Sequence, residues 1–285
     1  MTWRERLQDV MWGPEEARRL RFVQTGLTVL IALRIGLGSY RQLAGTPDPL
    51  FDPVPILAWL PSMPSAEVII GLQVVGVGAA LLALARRWPR AAFAVAWVCY
   101  LVLAGIRGSR GKVLHNDLLL LWSSVPFLLA PVTARWGDRT RSRTWGWPLR
   151  AATVIAALIY FFAGYHKLRR TGIDWALGEN VQYVMLWGPS IGAAKWDSMA
   201  TWVGETAWAA KATGASMLLF ELTFPIVLVW RRLQPLYGLI AVALHVATFL
   251  FLGLDYWAWA ATALLLFVDW PRLWDRMRRR VPVPG

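Results

Sequence analysis

Long runs of apolar residues, separated by short polar stretches, follow one another along almost the whole chain. A helix needs roughly 20 mostly apolar residues to cross the core of a bilayer. Runs of about this length, with few charges inside them, are typical of membrane spans. We predict helices over 22–41, 66–85, 90–107, 113–131, 148–166, 212–230, 235–254 and 256–271. The pattern predicts an all-α fold, a polytopic transmembrane helix bundle of about eight spans.

The segments outside these runs divide the chain into three parts. Residues 22–275 hold the predicted spans and form one transmembrane domain. Residues 1–21 are predicted to be a cytoplasmic interfacial segment, and residues 276–285 a basic cytoplasmic tail. Four apolar side chains of the first segment share one helical face, which predicts a short helix on the membrane surface: Trp3, Leu7, Val10 and Met11.

The longest predicted loop, 168–211, lies on the outer side and is rich in aromatic residues. Six of its residues recur at helical spacing, namely Met199, Trp202, Val203, Thr206, Ala207 and Ala210. This spacing predicts at least one interfacial helix within the loop. Two roles stay open for it: a lid over a site, or a surface helix without a gating role.

The basic residues are distributed unevenly between the two sides of the predicted bundle. With eight spans, 20 of the 30 Lys and Arg residues fall on the side of the two termini, and nine on the opposite side. Cytoplasmic loops of membrane proteins have the excess of Lys and Arg, so both termini are predicted to be cytoplasmic. We expect a multi-pass protein of the plasma (inner) membrane. Its net charge of +13 then reflects topology and contact with anionic lipids, with no nucleic-acid partner.

Several kinds of chemistry are excluded by the residue types present. Cys99 is the single cysteine and lies inside the third predicted span, which excludes a disulfide framework and a CxxC redox pair. No Gly-rich phosphate loop, hydrolase signature or HExxH zinc motif occurs. The three histidines belong to three different helices without ligand-type spacing, so no metal site is predicted.

The few ionisable residues inside the predicted spans share one layer of the membrane. His115, His166 and His245 all fall in the middle-to-outer layer, and Arg34 lies just past the middle of the first span, toward the outside. Ionisable residues are costly in a bilayer and usually face the bundle interior or a wet cavity. We therefore infer a polar cavity that opens to the outer face.

Each of these residues also has a structural interpretation. Arg34 is expected to pair with an acid such as Glu221 and hold two helices together. The His-Asn-Asp stretch at 115–117 suits a helix start as well as an imidazole oriented for proton transfer. His245 on an apolar helix suits a core histidine that is hydrogen-bonded to a neighbour.

Lys167 follows His166 at the outer end of the fifth span and has two interpretations. It suits a charge that anchors the helix at the lipid headgroups, or a base kept partly out of water. A cluster of positive charge on the outer side runs against the positive-inside rule, which favours the second interpretation. Tyr160, Gly164 and Lys167 lie on one stripe of the helix, where the glycine allows a ligand or a neighbouring helix to approach closely.

Five stretches of the sequence resemble one family of membrane proteins. YFFAGYHKL at 160–168, followed by DWALG, resembles the segment that bears the catalytic lysine of vitamin K-dependent gamma-glutamyl carboxylase. The same segment is similar to the wider set of bacterial HTTM (horizontally transferred transmembrane) proteins. The other matching stretches are ALRIGLG around Arg34, HND at 115–117, HVATFLFLG from His245 and DWPRLW at 269–274. The resemblance covers roughly residues 22–275.

The resemblance implies an enzyme that uses a reduced quinone of the vitamin K type. In the carboxylase, the matching lysine deprotonates this hydroquinone at the lumenal face, which corresponds to the outer side here. Lys167 is therefore expected to be the base, assisted by His115 and His166. The residues expected to line the cofactor site are Arg34, Asn116, Tyr160, Gly164 and His245. The chain departs from the carboxylase at His166, where the family has a second lysine, and the second substrate stays open.

A non-enzymatic role is the alternative. The same outer-facing cavity suits a membrane partner or a small transporter that binds a peptide, a lipid or an ion. Such a site needs only the charge at position 167, so arginine would replace Lys167 without loss. A base that must give up a proton does not tolerate arginine.

Overall fold

The computed structural model describes residues 2–110 and 115–280, and this part of the chain is mostly helical. Its α-helices are α1 (Trp3–Trp12), α2 (Ala17–Leu37), α3 (Ala66–Leu84), α4 (Pro89–Gly108), α5 (Leu118–Ser124), α6 (Arg143–Thr171), α7 (Asp174–Leu177), α8 (Asn180–Ser190), α9 (Asp197–Glu205), α10 (Ala207–Thr223), α11 (Ile226–Val229), α12 (Gln234–Leu252), α13 (Trp257–Phe267) and α14 (Trp270–Arg280). Short 3-10 helices lie at Tyr40–Gly45, Asp48–Leu50, Pro55–Leu57, Val125–Leu128 and Arg231–Leu233. The predominantly helical fold expected from the sequence is confirmed. The first two residues of the predicted fourth span and residues 281–285 of the predicted tail lie outside the described part.

A short two-stranded ladder is the exception to the helical pattern. Strands β1 (Glu15–Glu16) and β2 (Arg141–Ser142) are antiparallel, and Glu15 pairs with Ser142. The backbone N–H groups of Ala17 and Arg18 extend this contact by donating to the carbonyls of Thr140 and Asp138. The ladder thus joins the start of α2 to the segment before α6.

Among the described residues, five helical stretches are long and apolar enough to cross a membrane. They are α2, α3, α4, α6 and the stretch Arg231–Leu252, which contains α12. The three other predicted spans coincide with shorter or interrupted helices. Prolines account for two of them, because proline has no N–H to continue the helical ladder: Pro126 follows α5 and Pro225 follows α10. The third of these predicted spans coincides with α13. This helix ends at Phe267, because the next residue, Val268, has an extended backbone.

The first predicted span begins earlier than expected, at Ala17, because buried ion pairs compensate the charges at its start. Arg19 contacts Glu15 at 3.0 Å, and Arg18 contacts Asp275 of α14 at 2.8 Å. Arg150 also forms an ion pair with Glu15. These charges are typical of a loop in the sequence, but their partners allow the helix to include them.

The chain is divided into two compact units. The first unit contains the N-terminal segment up to Met11 together with Thr153–Val268. The second unit runs from Trp12 to Ala152 and resumes at Asp269. Helix α6 is shared, since its first ten residues belong to the second unit and the remainder to the first.

In the second unit, α2, α3 and α4 pack against one another around fully buried apolar side chains. The turn between α3 and α4 is strained, because Arg86 (φ 60°) and Trp88 (φ 46°) both adopt left-handed backbone conformations. The Arg86 guanidinium donates to the carbonyls of Val132 and Ala134. The Trp88 side chain is 78% exposed and contacts no ring or hydrogen-bond partner among the described residues.

In the first unit, the predicted loop 168–211 is a packed helical segment with its own apolar core. Val181, Met185, Val203 and Ala210 are buried together, with Phe251 and Leu252 of α12 packed against them. The backbone N–H groups of residues 195 and 196 both donate to the Leu250 carbonyl, at 2.7 and 2.9 Å. These contacts hold the connection between α8 and α9 against the end of α12.

The helical face predicted within this loop is divided between two helices. Thr206 lies between α9 and α10 with φ −99° and ψ 95°, outside the helical region. Met199, Trp202 and Val203 therefore belong to α9, whereas Ala207 and Ala210 belong to α10. The periodic spacing continues across the break, which is why the sequence pattern alone did not reveal it.

Candidate functional site

Lys167 lies in the last turn but one of α6 and contacts three side chains of the first unit. Its ammonium group forms an ion pair with the Glu221 carboxylate of α10. The same Nζ lies 3.6 Å from the Met217 Sδ and 4.5 Å from the centroid of the Trp175 ring. We call Lys167, Trp175, Met217 and Glu221 the Lys167 cluster. A carboxylate, an aromatic face and a sulfur atom thus surround one cation, which is a strong set of contacts for an ammonium group.

Two glycines allow the three helices of this cluster to approach one another. A Cβ atom on Gly164 of α6 would lie 2.9 Å from the Glu221 Cβ, so α6 and α10 cross at this point. A Cβ atom on Gly214 of α10 would lie 2.8 Å from the Ala176 carbonyl, so α7 also lies directly against α10. These contacts place Trp175 of α7 beside the lysine. Gly214, Met217 and Glu221 lie on one face of α10, at the spacing of three and four residues that a helix requires.

Glu221 is the most buried charged group of the cluster. Its side chain is 7% exposed, whereas that of Lys167 is 23% exposed. The Oε1 atom contacts the lysine, but the buried Oε2 atom has no hydrogen-bond partner among the described residues. A buried carboxylate oxygen without a donor is costly, and a bound hydroxyl group would satisfy it. The cluster therefore combines a cation with a free acceptor for a ligand O–H.

Tyr160 and His245 form a second polar contact in the same unit. The Tyr160 hydroxyl and the His245 Nε2 are 3.0 Å apart in a hydrogen bond between buried side chains. The Tyr160 ring stacks on Phe224 with a centroid distance of 4.2 Å, and His245 stacks on Tyr256 at 5.2 Å. The pair is thus enclosed by aromatic rings, as expected for a core histidine that is hydrogen-bonded to a neighbour.

His166 lies on a different face of α6 from its neighbour Lys167. Its side chain is exposed, and its ring lies near Phe162 and Tyr165. Among the described residues, it contacts no member of the Lys167 cluster. Successive residues of a helix point about 100° apart, so adjacency in sequence does not bring two side chains to one site.

Arg34 lies in the second unit, where its acid is Asp117 rather than Glu221. The Arg34 Nε donates to the Asp117 Oδ1 at 2.6 Å, and the Tyr100 hydroxyl donates to the same oxygen at 2.8 Å. The prediction that Arg34 pairs with an acid and holds two helices together is confirmed, but Glu221 was the wrong acid. Arg34 on α2 and Asp117 at the start of α5 are brought together by packing, whereas Glu221 is paired with Lys167.

His115 and Asn116 also lie in the second unit, in the segment that leads into α5. The His115 carbonyl accepts the backbone N–H of Leu118 at 3.1 Å, so this stretch begins a helix. The His115 side chain is exposed, Asn116 is partly buried, and Asp117 is directed toward Arg34 rather than capping the helix. The predicted site residues are thus distributed over both units: three in the second, and Tyr160, Gly164, His166, Lys167 and His245 in the first.

Sequence reasoning missed the roles of Glu221, Asp117, Trp175 and Met217. For the two acids, a signal was present, since acidic residues within apolar helices require a partner. For Trp175, the DWALG stretch was part of the family resemblance, but its contact with Lys167 depends on how α7 lies against α10. No signal in the sequence marks Met217.

The described residues include no group of three His, Cys, Asp or Glu side chains that could hold a metal ion. Comparison with protein-family models, with curated proteins and with solved structures finds no match for this chain.

Proposed function

We propose that the protein is a multi-pass protein of the bacterial inner membrane, of the HTTM type, with eight segments crossing the bilayer. The five long apolar helices support the membrane location. In this proposal, α5 with its 3-10 extension, α10 with α11, and α13 provide the three shorter crossings. The excess of Lys and Arg on the side of the termini supports a cytoplasmic location for both and an outward-facing Lys167 cluster.

We further propose that the Lys167 cluster removes a proton from a hydroxyl group of a reduced, lipid-soluble quinone of the vitamin K type. The observation that supports this most directly is the buried Lys167–Glu221 pair with an unpartnered carboxylate oxygen. A quinol offers an O–H donor for the Glu221 Oε2 and an apolar ring for the surfaces around it. Met217 and Trp175 provide such surfaces beside the lysine. The residues present therefore fit a quinol.

The ion pair can take up one proton by two equivalent routes. If Lys167 is an ammonium and Glu221 a carboxylate, the incoming proton goes to the Glu221 Oε2. If Glu221 has already received the lysine proton, the incoming proton goes to the Lys167 amine. Both routes end with a protonated Glu221 and an ammonium at Lys167. The net positive charge of the pair then stabilises the oxygen that gave up its proton.

The quinol, when bound, supplies the reducing equivalents and the reaction with oxygen. The protein's part is to hold the hydroxyl at Glu221, to keep water from most of the pair, and to accept the proton.

Quinol oxidation by the purified protein tests the proposal. We expect a quinone in the lipid-soluble extract of wild-type protein, identified by mass spectrometry, and oxygen-dependent oxidation of added quinol. Lys167→Ala and Glu221→Gln should each lower the rate by at least about a hundredfold, the size expected for removing a general base. Lys211→Ala, which removes an exposed lysine from α10, is the matched control and should retain wild-type turnover.

The Lys167→Arg variant distinguishes an enzyme from a protein that only binds a ligand. Arginine keeps the charge but does not release a proton, so an enzyme loses turnover in this variant. Wild-type turnover in Lys167→Ala with the fold intact would overturn the proposal. A protein that contains no quinone and binds its ligand equally well with arginine would instead be the membrane partner or transporter.

A further inference from the structure

A second cluster of charged and aromatic side chains lies in the second unit and has no part in the proton transfer proposed above. It consists of Arg34, Tyr40, Tyr100, Arg107 and Asp117, and we call it the Arg107 cluster. Tyr100 and Arg107 lie on one face of α4, seven residues apart. Arg34 is 3% exposed and Tyr100 is fully buried, so most of the cluster is shielded from solvent.

The Asp117 carboxylate accepts three hydrogen bonds from its neighbours. Its Oδ1 accepts from Arg34 at 2.6 Å and from Tyr100 at 2.8 Å, and its Oδ2 accepts from the Arg107 Nη1 at 3.2 Å. Two guanidinium groups and one hydroxyl therefore share a single carboxylate. The two charges of Arg34 and Arg107 exceed the one charge of Asp117.

Two nitrogens of the Arg107 guanidinium have no acceptor among the described residues. A guanidinium offers five N–H groups on three nitrogens. Among the described residues, the Arg107 Nη2 and Nε donate to none, although the side chain is only 15% exposed. Its Cζ lies 4.3 Å from the Tyr40 ring centroid, so the ring holds the guanidinium in place. Part of the side chain remains open to solvent, so an anionic ligand can reach the free edge of the guanidinium.

The position of Arg107 along its helix indicates where that ligand lies. Arg107 is one residue before the end of α4, one of the helices long and apolar enough to cross a membrane. The end of a span lies at the level of the lipid headgroups, whose phosphates are the most abundant anions there. The planar fork of a guanidinium matches phosphate oxygens in pairs.

We propose that the Arg107 cluster is a phosphate-binding site. The ligand is a phosphate group, either in the headgroup of a lipid or as free inorganic phosphate. Arg107 donates to it through Nη2 and Nε, while the Tyr40 ring holds the guanidinium in place.

Phosphate binding to the protein, measured as bound phosphorus, tests the site. The protein is purified in a phosphorus-free detergent and phosphate-free buffer, and is then titrated in two arms. One arm adds inorganic phosphate, and the other adds phosphatidylglycerol in nanodiscs that otherwise contain a phosphorus-free galactolipid. Bound phosphorus per protein and the unfolding temperature are measured. Saturable binding in the lipid arm alone identifies a headgroup site, and binding in the phosphate arm identifies a site for the free anion.

Arg107→Gln should weaken binding about tenfold or more, because charge-assisted hydrogen bonds to the phosphate are lost. Arg110→Gln is the matched control, because Arg110 is exposed three residues later, and it should bind as the wild type does. Absence of binding in both arms, or equal weakening by the two variants, would overturn the proposal.

Two further variants separate ligand binding from a structural role. Arg107→Lys keeps a charge beside Asp117 and so preserves the fold, but it lacks the fork and should also weaken binding. Asp117→Asn removes the carboxylate that competes for Arg107, so phosphate should bind more tightly than to the wild type. Weaker binding to the folded Asp117→Asn protein would indicate that the cluster only holds helices together, which contradicts the proposal.

Discussion

Lys167 and Glu221 depend on each other because both are largely shielded from water. Two opposite charges in such a place attract strongly, but each has lost most of its hydration. Removing one partner leaves the other charge uncompensated, whereas replacing both by apolar side chains removes the problem. The ion pair is therefore a weak argument for stabilisation of the fold. It is a stronger argument that these two residues have a function.

This dependence predicts the stability of single and double variants. Lys167→Met should lower the free energy of unfolding by about 2–3 kcal/mol, below the full cost of breaking a buried pair because Lys167 is 23% exposed. Lys167→Met combined with Glu221→Leu should recover most of that loss. Unfolding in mixed micelles measures both, and Lys211→Met on the same helix as Glu221 is the control. Additive losses in the double variant would show that the two side chains are not coupled.

At the scale of residues, the sequence identified the cations but not their partners. Lys167 and Arg34 stand out because a charge in an apolar helix is unusual. Which acid each one meets depends on how α6 turns toward α10, and on how α5 packs beside α2. These are contacts between residues 54 and 83 positions apart, and no local pattern encodes them. His166 illustrates the same limit, since its neighbour in sequence points elsewhere.

At the scale of elements, the crossing of α6 and α10 determines whether the pair can form. Gly164 is the point of contact, where an added Cβ would meet the Glu221 Cβ at 2.9 Å. Both atoms are fixed by helix backbones, so the contact is relieved only if the helices move apart.

Gly164→Ala should therefore destabilise the protein by about 1–3 kcal/mol, the usual cost of overpacking, and should also reduce quinol oxidation. Gly78→Ala is the matched control, because a Cβ on this α3 glycine meets nothing within 4 Å. Alanine there should be neutral or slightly stabilising, since it favours the helix. The thermal unfolding temperature and the turnover of both variants check this. Equal behaviour of the two variants would refute the close contact.

The sequence predicted elements well where hydropathy alone decides them. The second and third spans correspond to α3 and α4 within a residue at each end. The predicted helix bounds were wrong where ion pairs, prolines or the backbone of a single residue determine where a helix begins or ends. Ion pairs let α2 begin at Ala17, prolines follow the ends of α5 and α10, and Thr206 separates α9 from α10. A hydropathy pattern contains no information on ion pairs, on the effect of proline or on the backbone conformation of one residue.

At the scale of the whole molecule, the proposed topology places the loop before α6 and the loop around α9 on opposite sides of the membrane. Replacing Cys99 by alanine gives a background without cysteine. In it, Ser198→Cys should react with a membrane-impermeant maleimide in intact cells, because Ser198 is exposed in α9. Gly137→Cys, also exposed, should react only after permeabilisation. Reaction of Gly137→Cys in intact cells would reverse the topology, and equal reaction of both would reduce the number of crossings.

No pattern in the sequence marks the division into two compact units, and one transmembrane domain over residues 22–275 stays a prediction. The boundary falls inside α6, between Ala152 and Thr153, where the helix continues without interruption. Composition shifts and linkers mark boundaries that fall in loops. A boundary within a continuous helix has no such mark.

The turn at Trp88 has a consequence for how stability should be measured. A left-handed backbone costs a non-glycine residue about 1–2 kcal/mol. At Arg86 the carbonyl contacts offset this cost, whereas the Trp88 ring has no such partner in the described part of the chain. Indole rings favour the headgroup layer, so we expect the lipid to compensate this cost at Trp88. Trp88→Gly should then stabilise the protein in detergent and destabilise it in a bilayer. Opposite changes of the unfolding temperature in detergent and in nanodiscs would show that the bilayer acts as a binding partner of this turn.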